Sequence, residues 1–319
     1  MWLAVVTLLL GFITLVWSAD RFLHGAAATA RNLGMSPMLI GLTIVSLGTS
    51  APEIMVAVTA AIEGKPLMAI GNAIGSNIAN IGLVLGFTAL LVPLPFTRTV
   101  FRGEMPWLMA VTLAAFICLF DLHLGRLEGL LLLAMLGVLM YRIHRAHRRG
   151  EPAALPDVEE LEEIPELSTG RAMFWLIAGL LVLLVSADLV VWAATRVALS
   201  LGVSELVIGL TVVAVGTSLP ELAATVGSAL KGHSDIAIGN VVGSNILNIL
   251  AVMSVPGLLH PVDLEGEVLW RDFGMMLALT LLLLLFAYGQ QKRPVITRFE
   301  GLILLCSWIG YNVLLYSQH

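Results

Sequence analysis

Charged residues are scarce in this 319-residue chain, 12% against 58% hydrophobic, with a mean hydropathy of +0.95. A soluble domain carries about a quarter charged residues. This chain has too little polar surface to cover itself in water and reads as an integral membrane protein. Cysteine is nearly absent. Cys118 and Cys306 each sit inside an apolar run, which speaks against a disulfide and for two buried thiols. The formal net charge of −5 is modest, much of the acid is local, and no nucleic-acid-binding motif is present. Enzyme signatures are missing too. There is no HExxH, and the intramembrane serines have no neighbouring His or Lys to activate them. The chain reads as a non-enzyme that needs no cofactor. Its N-terminus, MWLAVVTLLLGFITLVW, has no basic stretch before the apolar run and no convincing cleavage site. It reads as a retained first span rather than a signal peptide.

Long hydrophobic runs are what the chain does have. Runs able to cross a bilayer, about 20 residues each, begin near residues 2, 36, 67, 105, 127, 172, 204, 236, 269 and 299. They predict an all-α polytopic membrane protein of about ten transmembrane helices. One break is polar. Residues 142–171 open with RIHRAHRR and continue EPAALPDVEELEEIPELS, a solvated linker whose acids lack the spacing of a calcium loop. With that basic stretch placed in the cytoplasm, alternation puts 13 Lys and Arg inside and four outside: Lys65, Arg126, Arg196 and Arg271. The bias predicts both termini on the non-cytoplasmic side; with no N-x-[ST] sequon or targeting tail and a compact size, the chain reads as a multi-pass protein of the plasma (inner) membrane, taken as a monomer in the lipid bilayer.

Shifted by 168 residues, the two halves align without a gap, and residues 18–81 match their partners at 31 of 64 positions. GLTIVSLGTSAPE (41–53) falls on GLTVVAVGTSLPE (209–221), and AIGNAIGSNIANI (69–81) on AIGNVVGSNILNI (237–249). This is a duplication. It divides the chain into a first five-helix repeat (1–141), the linker (142–171) and a second five-helix repeat (172–319). An odd number of spans inverts the second repeat relative to the first, the architecture of secondary transporters, whose site lies at the midplane on interrupted helices. Pro52 and Pro220 break the helices, and Gly48 and Gly216 let the backbone depart from them.

The repeats place an oxygen-rich set at that depth: Thr49, Ser50, Glu53, Ser76, Asn77 and Asn80 from one, and Thr217, Ser218, Glu221, Ser244, Asn245 and Asn248 from the other. Hard cations such as Ca2+ take oxygen ligands, whereas zinc, iron or copper would call for imidazole or thiolate. All seven histidines fall near predicted span ends. Two glutamates match the charge of one divalent ion, and an unneutralised carboxylate at the bilayer centre is costly. Asn72, Asn77, Asn240 and Asn245 read as amides that tie helices together, and Asp20 and Asp188 as helix-end groups. Gly71, Gly75 and Ser76 would let helices approach closely.

At these residues the sequence resembles the sodium/calcium exchanger family, the cation/calcium antiporters of prokaryotic type. The hallmark of that family is a pair of inverted repeats reading GTSxPE and then GNxxGSNIxN. The likeness covers both motif regions, about 36–86 and about 204–256, and the five-plus-five layout extends it over nearly the whole chain. It implies a central metal site in which Glu53 and Glu221 coordinate Ca2+ and share in Na+ binding. Thr49, Ser50, Thr217, Ser218, Ser76, Asn80, Ser244 and Asn248 would add oxygens, with backbone carbonyls at Ser46 and Ala214. The first and sixth helices would slide past this core. The implied function is secondary antiport of Ca2+ for Na+ by alternating access. Some relatives carry aspartate where this chain has Asn248, so Ca2+/H+ antiport through the same glutamates is the alternative. A passive cation channel could use the same carboxylates, but would not need two broken repeats of opposite orientation. The linker has no room for the calcium-sensing domains of animal exchangers.

Overall fold

The computed structural model describes residues 2–33, 44–96, 100–148, 167–200, 214–289 and 294–318. Among them, six helices are long and apolar enough to cross a membrane, and two shorter apolar helices accompany them. The first is α1 (Trp2–Leu33), whose 32 residues extend well beyond the hydrocarbon thickness. After it come a short α2 (Ser46–Thr49) and α3 (Ala51–Ile62). Helix α4 (Pro66–Ala79) continues through a π-helical stretch, Asn80–Leu85, into α5 (Gly86–Leu91). Helices α6 (Met105–Cys118) and α7 (Arg126–Arg148) complete the first half. The second half holds α8 (Thr169–Ser200), α9 (Ala214–Thr217) and α10 (Leu219–Leu230). Then α11 (Ser234–Leu247) runs through the π-helical stretch Asn248–Val252 into α12 (Ser254–Leu259). Helices α13 (Gly274–Gly289) and α14 (Arg298–Gln318) end the described chain. The starts of the expected second and seventh spans, and most of the 142–171 linker, lie outside the described residues.

Burial inverts the soluble pattern. Over its most apolar 18-residue window Ser234–Leu259, rich in Asn, Ser and Gly, is 94% buried and Pro66–Leu91 is 72% buried, whereas the more apolar Trp2–Leu33 and Thr169–Ala193 are only 28% and 33% buried. Lipid solvates an apolar helix, so the polar helices take the centre, where their amides find partners. Two apolar clusters result. The larger joins α4, α5, α6, α7, α11 and α13, through residues such as Ile74, Ala89, Val111, Leu132, Ile246 and Met276. The other joins α1 to α8 and to the face of α10, through Phe22, Leu23, Leu176, Leu183, Leu219 and Ala224.

Helices α1 and α8 pack along much of their length. A Cβ at Gly25 would collide with the backbone of Leu176, and one at Gly179 with the backbone of Phe22. Two antiparallel ladders tie loops of the two halves together. β1 (Leu94–Pro95) pairs with β4 (Val295–Ile296), and β2 (His123–Leu124) pairs with β3 (Val262–Asp263). Both cysteines are free, but Cys118 is only partly buried and Cys306 is exposed. The expectation of two buried thiols is therefore corrected: an apolar run in a membrane helix turns part of its surface to lipid, where a thiol is well solvated.

Candidate functional site

The chain breaks at two serines. Ser50, at φ −82° and ψ 7°, ends α2 and begins α3; Ser218, at φ −91° and ψ 5°, ends α9 and begins α10. Pro52 and Pro220 each sit in the first turn of the new helix, where a missing N–H costs nothing. Glu53 and Glu221 fall three residues after the capping serines. Ser-x-x-Glu is the pattern of a capping box, in which both side chains bond to the helix end. Here neither serine makes a side-chain cap bond. Ser50 turns instead to the other half: its Oγ donates to Glu221 Oε1 at 3.1 Å and contacts Ser244 Oγ at 2.9 Å. The two carboxylates feel each other's charge, and each sits at a helix N-terminus, whose dipole favours an anion.

The glycines of the break work differently from expectation. Positive φ among the described glycines occurs at Gly64 and Gly232, so Gly48 and Gly216 do not serve a left-handed turn. Instead, a Cβ at Gly48 would lie 3.1 Å from Leu180 of α8, and one at Gly216 would strike Val191 of the same helix. They let the breaks lie flush against the α1/α8 pair. Gly71 and Gly75 correct the reading in the other direction: a Cβ at either meets nothing within 4 Å. They flank a cavity of about 400 Å3, lined also by Ser76, Thr217, Asp272 and Tyr311.

Around the breaks lies a shell of amides. Asn72 and Asn240 each donate to the backbone carbonyl of the glutamate 19 residues before them, Glu53 and Glu221, at 3.4 Å. Asn240 also receives the Thr49 hydroxyl at 3.2 Å and donates to Thr225 at 2.9 Å. Asn80 Nδ2 donates to Asn245 Oδ1 at 3.1 Å, and Asn248 Nδ2 to Asn77 Oδ1 at 3.0 Å. The carbonyl of Ser46 accepts the Ser50 N–H at 2.9 Å and the Thr49 hydroxyl at 3.4 Å. Ala214 is the first residue of α9.

What remains unpaired is diagnostic. Among the described residues, seven buried side-chain polar atoms have no hydrogen-bond partner, and six are oxygens of this cluster. They are both Glu53 oxygens, Glu221 Oε2, Asn80 Oδ1, Asn248 Oδ1 and Ser218 Oγ. Glu53, Glu221, Asn80 and Asn248 are fully buried. A buried unsatisfied polar group costs about 1–3 kcal/mol, and buried polar groups without partners are uncommon in native proteins. Six such oxygens, on the two breaks and on the helices packed against them, are of the ligand type that a hard cation takes.

A second polar cluster corrects the reading of Asp20 as a helix-end group, since it lies within α1 and faces another helix. Asp20 of α1 forms an ion pair with Lys231 at the end of α10, and His24 lies 3.2 Å from the same carboxylate. It ties the α1/α8 pair to the body at one end. A basic residue reaching an acid from another element leaves no signal in local spacing, so only the packing shows it.

Broken helices meeting at buried, unpaired oxygens inside a polytopic helical body define a class, the membrane transporters. The comparisons make it specific. The family model described as sodium/calcium exchanger protein matches residues 3–143 and 171–317. "Putative antiporter CaxA" of Alkalimonas amylolytica is 46% identical over all of both chains. Sodium/calcium exchanger MaX1 of Methanosarcina acetivorans is 31% identical over 97% of each. The solved sodium-calcium exchanger NCX_Mj superposes with a TM-score of 0.81 at 34% identity, covering 96% of this chain and 97% of that one. This chain belongs to the sodium/calcium exchanger family, a family of membrane antiporters rather than enzymes.

Proposed function

We propose that this antiporter exchanges Ca2+ for Na+ at the oxygen cluster between the two broken helices. The observation that carries the reading is the set of six buried, unpartnered oxygens, two of them on Glu53. Two carboxylates supply the charge of one divalent ion; Ser218, Asn80 and Asn248 supply neutral oxygens, and Ser50 and Ser244 stand beside them. Thr49, Ser76 and Thr217 border this set, the last two along the cavity. Ca2+ and Na+ compete for the same two glutamates, so one occupancy excludes the other. A loaded site is screened and passes the apolar barrier, and an empty, doubly charged one does not. That exclusion couples the fluxes.

Alternating access would come from the α1/α8 pair moving against the body. The separation of the two apolar clusters and the glycines at 48 and 216 support this. Ten spans in two inverted repeats fit the pairing of equivalent parts: α5 packs on α14 as α12 packs on α7, and each half lends one strand to each ladder. The lysine and arginine bias puts the termini on the non-cytoplasmic side of the plasma membrane, and a monomer suffices. A proton-coupled variant is favoured by one feature. Asparagine at both 80 and 248 leaves two carboxylates as the only acids of the set, and two protons would neutralise them as one Ca2+ does.

The test is reconstitution into vesicles loaded with Na+, followed by radioactive Ca2+ uptake. Uptake that follows the Na+ gradient supports the first reading, and uptake that follows an imposed pH gradient alone supports the second. Ca2+ flux without any counter-ion overturns both in favour of a channel.

A further inference from the structure

Four asparagines form two amide pairs across the halves, and the direction of one pair is set by a backbone carbonyl. Asn77 Nδ2 donates to the backbone carbonyl of Asn245 at 3.2 Å and lies 3.3 Å from Met276 Sδ. A backbone carbonyl only accepts, so the Asn77 amide cannot turn over, and its Oδ1 is left to face Asn248. Asn248 meets it with Nδ2 at 3.0 Å. That contact orients Asn248 in turn: its nitrogen is held, and its oxygen is buried without a partner. The other arm has the same amide pair across the halves, without a backbone anchor for Asn245 among the described residues. Asn80 Nδ2 donates to Asn245 Oδ1 at 3.1 Å, and Asn80 Oδ1 is left buried and unpartnered. Each half thus orients an amide that belongs to the other.

We propose that Asn77 and Asn245 are positioning residues for the exchange: they hold the amides of Asn248 and Asn80 with oxygen, not NH2, toward the transported cation. The inference rests on the reading of Glu53, Glu221, Asn80 and Asn248 as the cation site. An amide turned over presents N–H donors where the cation must sit. A site with unheld amides is therefore split between a binding and a non-binding form, and its apparent affinity falls with the binding fraction. A carboxylate has two equivalent oxygens and needs no such orientation, but it adds charge. An oriented amide keeps the oxygen and leaves the two glutamates as the only charges of the set.

A double-mutant cycle tests this, reading Ca2+ binding by calorimetry in detergent and the KM and Vmax of radioactive Ca2+ uptake in vesicles. In the parent background, Asn77→Ala frees the Asn248 amide and is expected to weaken Ca2+ affinity about tenfold, with Vmax within about twofold. An aspartate at 248 offers oxygen whichever way it turns. In the Asn248→Asp background, Asn77→Ala is therefore expected to change the affinity by less than about threefold. Equal losses in both backgrounds would mean that Asn77 only packs, and would overturn the proposal. An unchanged affinity for Asn77→Ala alone would overturn it as well. If Asn77→Ala fails to fold, the mirror cycle of Asn245→Ala with Asn80→Asp carries the same pair of outcomes. Failure of the underlying site reading shows separately, as Glu53→Gln protein that binds Ca2+ like the parent.

Discussion

Glu53 and Glu221 were visible in the sequence as charges in lipid-length runs, and the repeat made the pair hard to mistake for chance. Their environment was not legible, because Ser-x-x-Glu ahead of an apolar helix reads equally as a capping box. The fold decides otherwise by bringing Ser50 to Glu221 instead of to its own helix. Removing one charge at a time is the direct test. Breaking a buried charge interaction costs about 3–5 kcal/mol, so Glu53→Gln and Glu221→Gln are each expected to reduce Ca2+ uptake roughly a hundredfold or more. Both variants should fold, since the amide oxygen introduced by Glu221→Gln can still accept the Ser50 hydroxyl and repulsion between the carboxylates is removed. Added Ca2+ should raise the thermal midpoint of the parent by mass action and leave that of either variant where it was. Variants that transport as well as the parent would place the site elsewhere.

Among the elements, the breaks at 50 and 218 followed from proline, but the role of the glycines did not. A glycine serves a turn, a close approach or an open wall, and the three look the same in a sequence. The structure separates them by what a Cβ would meet. Gly25 has no room, because the backbone of α8 lies against it. Gly25→Ala should force the two helices apart and cost about 1–3 kcal/mol, as overpacking does. Gly71 lies in α4 with open space around it, so Gly71→Ala should stabilise the helix by up to about 1 kcal/mol. Unfolding in detergent should show opposite signs for the two substitutions. Two losses of equal size would mean that the cavity beside α4 is filled in the folded protein.

The whole molecule is held together by contacts between its halves, and one of them is expected to respond to pH. In the β2–β3 ladder the imidazole of His123 lies 2.6 Å from the Asp263 carboxylate. That hydrogen bond, helped by the carboxylate charge, holds the His123 pKa above its ordinary value. Because the folded value lies above the unfolded one of about 6.5, the pair stabilises fully below that pH. The contribution fades as pH rises through the raised folded value. Asp263→Asn should therefore lower the thermal midpoint at about pH 6 and change it little at about pH 9. A difference independent of pH would assign the ladder's contribution to its backbone bonds alone. Lys231 acts at the same scale, joining α1 to the end of α10 through Asp20. The aligned position in the first repeat is Glu63, and the aligned partner Asp188 is exposed, so the corresponding contact on the other half lacks its cation.

By itself, the sequence determined the membrane class, the duplication, the place of the two breaks and the identity of the oxygen-bearing residues. Those features depend on composition and on spacing along one chain, where a period or a repeat is visible. Tertiary structure alone decided which oxygens are spent on hydrogen bonds and which are left without a partner. The bonds that cross between the halves join residues far apart in sequence, as Ser50 to Glu221, Asn80 to Asn245 and Asn248 to Asn77 show. A hydrogen bond has a direction as well as two ends, and that direction exists only once the halves are packed together.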